Sequence, residues 1–147
     1  MREFIFNLTQ SAEGSFGMYH AVTRHIAITA TPRFMPEQST PDQNRYFWAY
    51  TIEIVNEGTE TVTLLSRHWI ITDGEGKTQE VRGEGVVGEQ PVLAPGTSFT
   101  YTSGCPLSTP QGIMKGSYIF KSDTGELFPV AIPAFSLDLP EMQRVLH

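Results

Sequence analysis

A single cysteine, Cys105, among 147 residues leaves no partner for an intrachain disulfide and no four-thiolate zinc site. It also fits a reducing compartment. No run of about 18 apolar residues occurs, the length a helix needs to cross a bilayer. The start of the chain is a poor signal peptide, because its short apolar patch is broken by Asn7 and carries Glu3. Together these absences read as a cytoplasmic protein without a membrane partner. Basic residues are also scarce: 10 Lys and Arg stand against 16 Asp and Glu, a net charge of −6, with no basic run. Nucleic acid is therefore excluded as a partner on electrostatic grounds. No segment sustains a 3.6-residue apolar period, which excludes long amphipathic helices.

What is present is period two. Val22, Ile26, Ile28 and Ala30 alternate onto one face, interrupted by Arg24. Tyr46, Trp48, Tyr50, Ile52 and Ile54 form the cleanest stripe. Val62–Thr72, Lys77–Val81, Ser98–Ser103, the Met114–Phe120 region and Leu127–Leu137 follow, separated by Asn56-Glu57-Gly58, Asp73-Gly74-Glu75-Gly76, Pro95-Gly96 and Ser122-Asp123-Thr124-Gly125. β-branched and aromatic residues fill the runs, and turn-forming residues space them evenly. About seven strands with no intervening helices predict antiparallel sheets packed as a sandwich. Apolar residues make up 39% of the chain, enough for one domain with a proper core. The expected division is an N-terminal arm over 1–17, a domain over 18–139 and a tail over 140–147. In the arm, Phe4, Phe6 and Leu8 offer a short added strand, and Met18 is an alternative start. The tail holds a short helix from Pro140 to Leu146. Pro129 and Pro133 lie four apart and so lack ladder donors on the same side, which predicts an open sheet edge there.

Two constellations invite a chemical reading. The first is Gly83-Glu84-Gly85-Val86-Val87-Gly88, which fits G-x-G-x-x-G. That pattern cradles a nucleotide phosphate only between a strand and a helix. Here Glu89-Gln90-Pro91 and then Pro95-Gly96 follow, so no helix begins. Glu80, Glu84 and Glu89 surround the loop, with Arg82 the one nearby cation, and carboxylates repel phosphate. The glycines instead fit a tight crossover between the sheets. Arg82, Gly83, Gly85, Gly88 and Gln90 are retained as a candidate ligand or partner loop, because glycine backbone can form an anion nest.

The second is Arg67-His68-Trp69. On a strand His68 and Trp69 face opposite ways. The alternation puts Leu65, Trp69 and Ile71 on one side, and Leu64, His68 and Ile70 on the other. Trp69 is expected in the core, with His68 a hydrogen-bonded neighbour rather than a ligand or general base. His20, His25 and His147 show no metal-ligand spacing with His68, so no metal site is assigned. Ser66 precedes His68 without a G-x-S-x-G elbow, Cys105 has no base nearby, and Asp73 with Glu75 sits in a turn. No catalytic residue is assigned. Phe47, Ala49 and Val55 back the aromatic stripe and offer a half-apolar face to a partner.

In their order and spacing, Gln38-Ser39, the Tyr46–Tyr50 strand, Arg67-His68-Trp69, Gly83-x-Gly85-Val86-Val87-Gly88-x-Gln90-Pro91, Pro95-Gly96, Tyr101-Thr102-Ser103-Gly104 and Thr109-Pro110-x-Gly112-x-Met114-x-Gly116-x-Tyr118 resemble the ApaG family over roughly Tyr19 to Leu139. The resemblance implies a fibronectin type III-like (immunoglobulin-like) β-sandwich and a link to cobalt and magnesium tolerance. It also implies a protein-interaction role, since eukaryotic relatives carry the domain beside an F-box or in a polymerase-delta-interacting protein. The combined expectation is a non-enzymatic, cofactor-free binding module for a protein partner, with a homodimer left open. The alternative is a sensor of a small pyrophosphate-like anion or a divalent metal, using the glycine loop.

Overall fold

The structure, a computed structural model, describes residues 17–140. The expectations for the arm's Phe4–Leu8 alternation and for the helix after Pro140 lie outside the described residues. Nine strands run through the rest: β1 Tyr19–Thr23, β2 Ile26–Phe34, β3 Tyr46–Asn56, β4 Val62–Asp73, β5 Thr78–Glu84, β6 Val92–Leu93, β7 Ser98–Leu107, β8 Gly112–Ser122 and β9 Leu127–Leu137. The pairings are antiparallel. One sheet has the order β1-β2-β3-β7 and the other β5-β4-β8-β9, with β6 also pairing β4. The two sheets form the expected all-β sandwich, and between β1 and β9 the helical elements are single 3-10 turns over Pro36–Gln38 and Pro41–Gln43.

The core is the inner faces of both sheets. Trp48, Tyr50, Ile52 and Ile54 of β3 are buried as their alternation predicts. They meet Trp69, Met114, Tyr118, Phe120 and Phe135 of the second sheet. Trp69, Tyr50 and Phe135 pack edge to face or tilted, with centroids 5.2–6.0 Å apart, the arrangement aromatic quadrupoles favour. A buried hydroxyl bond of 2.6 Å between Tyr101 of β7 and Tyr118 of β8 ties the sheets.

Three expectations change. The first run is two strands, because Arg24 and His25 form a two-residue turn with φ of 49° and 66°. Such a turn carries no glycine, asparagine or aspartate and so leaves no mark in the sequence. Val22 consequently falls on β1 opposite Ala27 and is exposed. With the short β6, this split raises the strand count from seven to nine.

Second, a register shift between Leu64 and Ser66 makes Leu65 an extra residue. A bulge inverts the alternation beyond it, so Leu64 and Trp69 are both buried although their positions differ in parity. Third, the glycine loop does not cross between sheets. β5 and β6 both pair with β4, so residues 85–90 bulge out of a single strand line. The crossing to the first sheet comes afterwards, between β6 and β7. The proline inference holds: β9 is an edge strand. The Ala131 N–H on its open side donates to Thr23 Oγ1 at 3.3 Å, and Pro129 shares that side.

Candidate functional site

The β4–β5 hairpin sets the site. Asp73 and Lys77 close it through a backbone bond of 2.9 Å. The Asp73 carboxylate accepts from the N–H groups of Glu75 and Lys77 at 2.8 and 3.0 Å, the local bonding that suits aspartate to turns. Counting back from this turn pairs His68 with Arg82 and Arg67 with Gly83. The two sequence constellations therefore lie side by side.

His68 points outward, with 26% of its side chain exposed. Its Nε2 lies 2.7 Å from Glu80 Oε1. A carboxylate only accepts, so Nε2–H is the donor. Glu80 Oε1 also accepts from Arg82 Nη2 at 3.2 Å. The His68 bond holds the Glu80 carboxyl below its ordinary range and the Arg82 charge adds to this, while desolvation opposes. On the β8 side, Ser117 is the Cα partner of His68, and Ile119 that of Ser66. These residues border a groove of 390 Å³ lined by Ser66, Arg67, His68, Arg82, Gly83, Glu84, Ser117 and Ile119.

Arg67 acts as a strut. Its Nη1 donates to the carbonyl oxygens of Glu84 and Gly85 at 3.0 and 2.9 Å. A Cβ on Gly83 would sit 2.7 Å from Nη2, so glycine makes room for the guanidinium. The bulged Leu65 presents its carbonyl to the loop, accepting from Gly85 N–H and from Gln90 Nε2, both at 2.8 Å. Val86 and Glu89 exchange backbone bonds of 2.8 and 2.9 Å around Val87 and Gly88, whose φ values are 42° and 82°. This is a two-residue hairpin with both central residues left-handed, a conformation strained for a β-branched valine. Gly85 has φ 64°, and a Cβ there would strike the Glu89 carbonyl oxygen.

The N–H groups of Gly85, Val86 and Glu89 are thus engaged inside the protein, as is Arg67 Nη1. A phosphate cradle needs those groups turned outward. Of the predicted loop residues, Arg82 and Gly83 line the groove, while Gly85, Gly88 and Gln90 shape the loop beside it. Trp69 faces the core and is fully buried; its Nε1 has no hydrogen-bond partner. Cys105 is buried as well, and desolvation pushes its thiol up to about 12, so no thiolate is available as nucleophile. Among the described residues, no three His, Cys, Asp or Glu side chains stand together as metal ligands. The half-apolar back of β3 is half-buried at Phe47, Thr51 and Val55, and Glu53 is exposed. Ala49 is buried, Phe47 lies against Gly104, and the Thr51 and Thr102 hydroxyls bond at 2.8 Å.

Sequence reasoning missed the His68–Glu80–Arg82 chain and the Arg67 strut. Turn counting could have found both, since the Asp73-Gly74-Glu75-Gly76 turn fixes the register. It also missed Arg24. That guanidinium reaches Glu126 through bonds of 3.1 and 3.0 Å and lies 4.2 Å from the Phe128 ring centroid, fastening the first hairpin onto the second sheet.

The profile of the ApaG domain matches residues 36–122. Proteins called Protein ApaG from Bradyrhizobium sp. (strain ORS 278) and Methylobacterium sp. (strain 4-46) are each 62% identical over 130 residues, 88% of this chain and 100% of theirs. The crystal structure of the ApaA protein from Bordetella pertussis matches with TM-score 0.77 at 54% identity, over 78% of this chain and 94% of that one. A structural-genomics target solved by X-ray also gives TM-score 0.77, at 42% identity, over 83% and 92%. Among the described residues, no helix is long and apolar enough to cross a membrane.

Proposed function

The chain belongs to the ApaG family, and from that premise we propose that it is a non-enzymatic protein-binding module whose docking surface is the outward groove of β4, β5 and β8. One observation carries this reading. Two stretches separated by fifteen positions, Arg67-His68 and Arg82-Gly83, converge on one 390 Å³ groove. They are fixed there by the half-buried Arg67 strut, whose Nη1 bonds the Glu84 and Gly85 carbonyls. The groove offers hydroxyls at Ser66 and Ser117, an apolar patch at Ile119, and a His68–Glu80–Arg82 chain at its rim. Both charge signs are present with no reacting centre between them. That mixture suits a polar peptide segment better than an anion. The pyrophosphate alternative is weakened because the N–H groups of Gly85, Val86 and Glu89 bond internally. A link to cobalt or magnesium tolerance would run through a bound partner.

The test is site-specific photo-crosslinking in cytosolic extract, with the probe at Ser117 or, on the other sheet, at Thr51. A discrete adduct from Ser117 that Arg82→Glu removes is the expected result. An adduct from Thr51 alone would move the docking surface to the first sheet.

A further inference from the structure

The described sandwich has two sheets and therefore open strand edges, and these are unequally guarded. β1 is five residues long. β9 carries Pro129, is bulged opposite Lys115 beside Pro133, and bonds its Ala131 N–H to Thr23. β5 presents the exposed charges Glu80, Arg82 and Glu84. Short length, proline, bulges and charge are the devices that keep sheet edges from pairing. β7 has almost none of them. It spans ten residues, SFTYTSGCPL, with only Pro106 near its end, and it lies inside a run from Gln90 to Met114 without one charged residue or histidine.

Its open side can be read from the ladder. Asn56 N–H donates to Thr97 O at 3.0 Å, so the odd-numbered residues of β7 bond to β3. Alternation then turns the N–H and C=O groups of Ser98, Thr100, Thr102 and Gly104 away from it. Among the described residues, no other strand lies beyond β7.

We infer that β7 is a self-association edge: a second copy of this chain adds its own β7 antiparallel about a two-fold axis near the middle of the strand, joining the two first sheets into one. An antiparallel strand edge is self-complementary, as a two-fold contact requires. The net charge of −6 makes copies repel over most of their surface. The uncharged edge is where two copies approach without facing like charges. The outward side chains of the open row are small, so nothing props the strands apart. The groove lies on the other sheet and stays open in both copies, so this inference stands independently of the function proposed above. A single strand edge buries less than the roughly 1,600 Å² of a standard interface, so the dimer dissociates at about micromolar concentration.

Sedimentation velocity of the full chain over a concentration series tests this. The mass should rise from 16.4 kDa to twice that. Thr100→Pro removes one outward N–H, and Thr100→Lys places a charge on the exposed edge. Each should weaken association at least about tenfold while the melting temperature stays that of the parent. If the proline variant fails to fold, the lysine variant alone decides. A parent that stays monomeric up to about 1 mM, or a dimer that folded edge variants leave intact, overturns the inference. So does a dimer that forms only when residues 1–17 are removed, which would assign the edge to the arm.

Discussion

The two faces of the β5-β4-β8-β9 sheet are built from the same strands in alternation, yet they do opposite work. Trp69, Met114, Tyr118 and Phe120 face inward and are fully buried. Their neighbours His68, Ser117 and Ile119 face outward around the groove. Inward residues hold the fold by apolar burial, which is large and insensitive to salt or pH. Outward residues are tied by exposed ion pairs and hydroxyls, which add little stability. A residue and its chain neighbour should therefore separate stability from binding cleanly, with the Arg67 strut as the hinge between the two.

The sharpest break is Trp69→Ala, which empties a site filled against Tyr50 and Phe135. It should cost about 3–5 kcal/mol, read from denaturant midpoints; an unchanged midpoint would place the indole on the surface. Next is Gly85→Ala, at the border of the two faces. Its left-handed φ and the Glu89 carbonyl leave no room for a methyl group, so a loss of about 1–3 kcal/mol is expected. Calorimetric titration of the parent with ATP, NAD and pyrophosphate should show no micromolar binding. Heat that vanishes in a folded Gly85→Ala chain would restore the anion reading.

Arg82→Glu comes third. It should change stability by no more than about 0.5 kcal/mol while removing capture of a partner at Ser117. A large loss of stability would mean the groove rim is structural. The smallest effect concerns pH. Because Glu80 titrates below its ordinary value of 4.5, its contribution is complete above that value and disappears as the pH falls through the lower folded one. In His68→Gln the Glu80 titration, followed by carbon-13 NMR, should move back toward 4.5. The acid limb of the stability curve should flatten slightly. An unmoved Glu80 would show that the imidazole is not what holds it down.

Much of this contrast was legible in the sequence. The β3 stripe, the outward His68 against the inward Trp69 and the edge position of Pro129 follow from period two and from the missing proline donor. What escaped was phase. The bulge at Leu65 and the Arg24-His25 turn each change which residues share a face, and neither carries glycine, proline or asparagine to announce it. The glycine loop shows the same limit. Composition indicated a tight structure without a phosphate, but not that the loop stays on one edge of β4. That placement depends on the Leu65 carbonyl, which gathers Gly85 and Gln90 from twenty or more residues away.

Both of the chain's tryptophans point into the sandwich: Trp69 without a partner for its indole nitrogen, and Trp48 donating to the Asp138 carbonyl at 2.9 Å. Intrinsic emission from this protein therefore reports interior packing. It should be blue-shifted and shielded from aqueous quenchers while the sheets stay together. It should be nearly blind to a molecule settling in the groove, since no indole looks out there. A silent fluorescence titration would accordingly say nothing against a ligand, and an optical sensor of occupancy needs a new chromophore on the outward side, at Ser117 or Ile119.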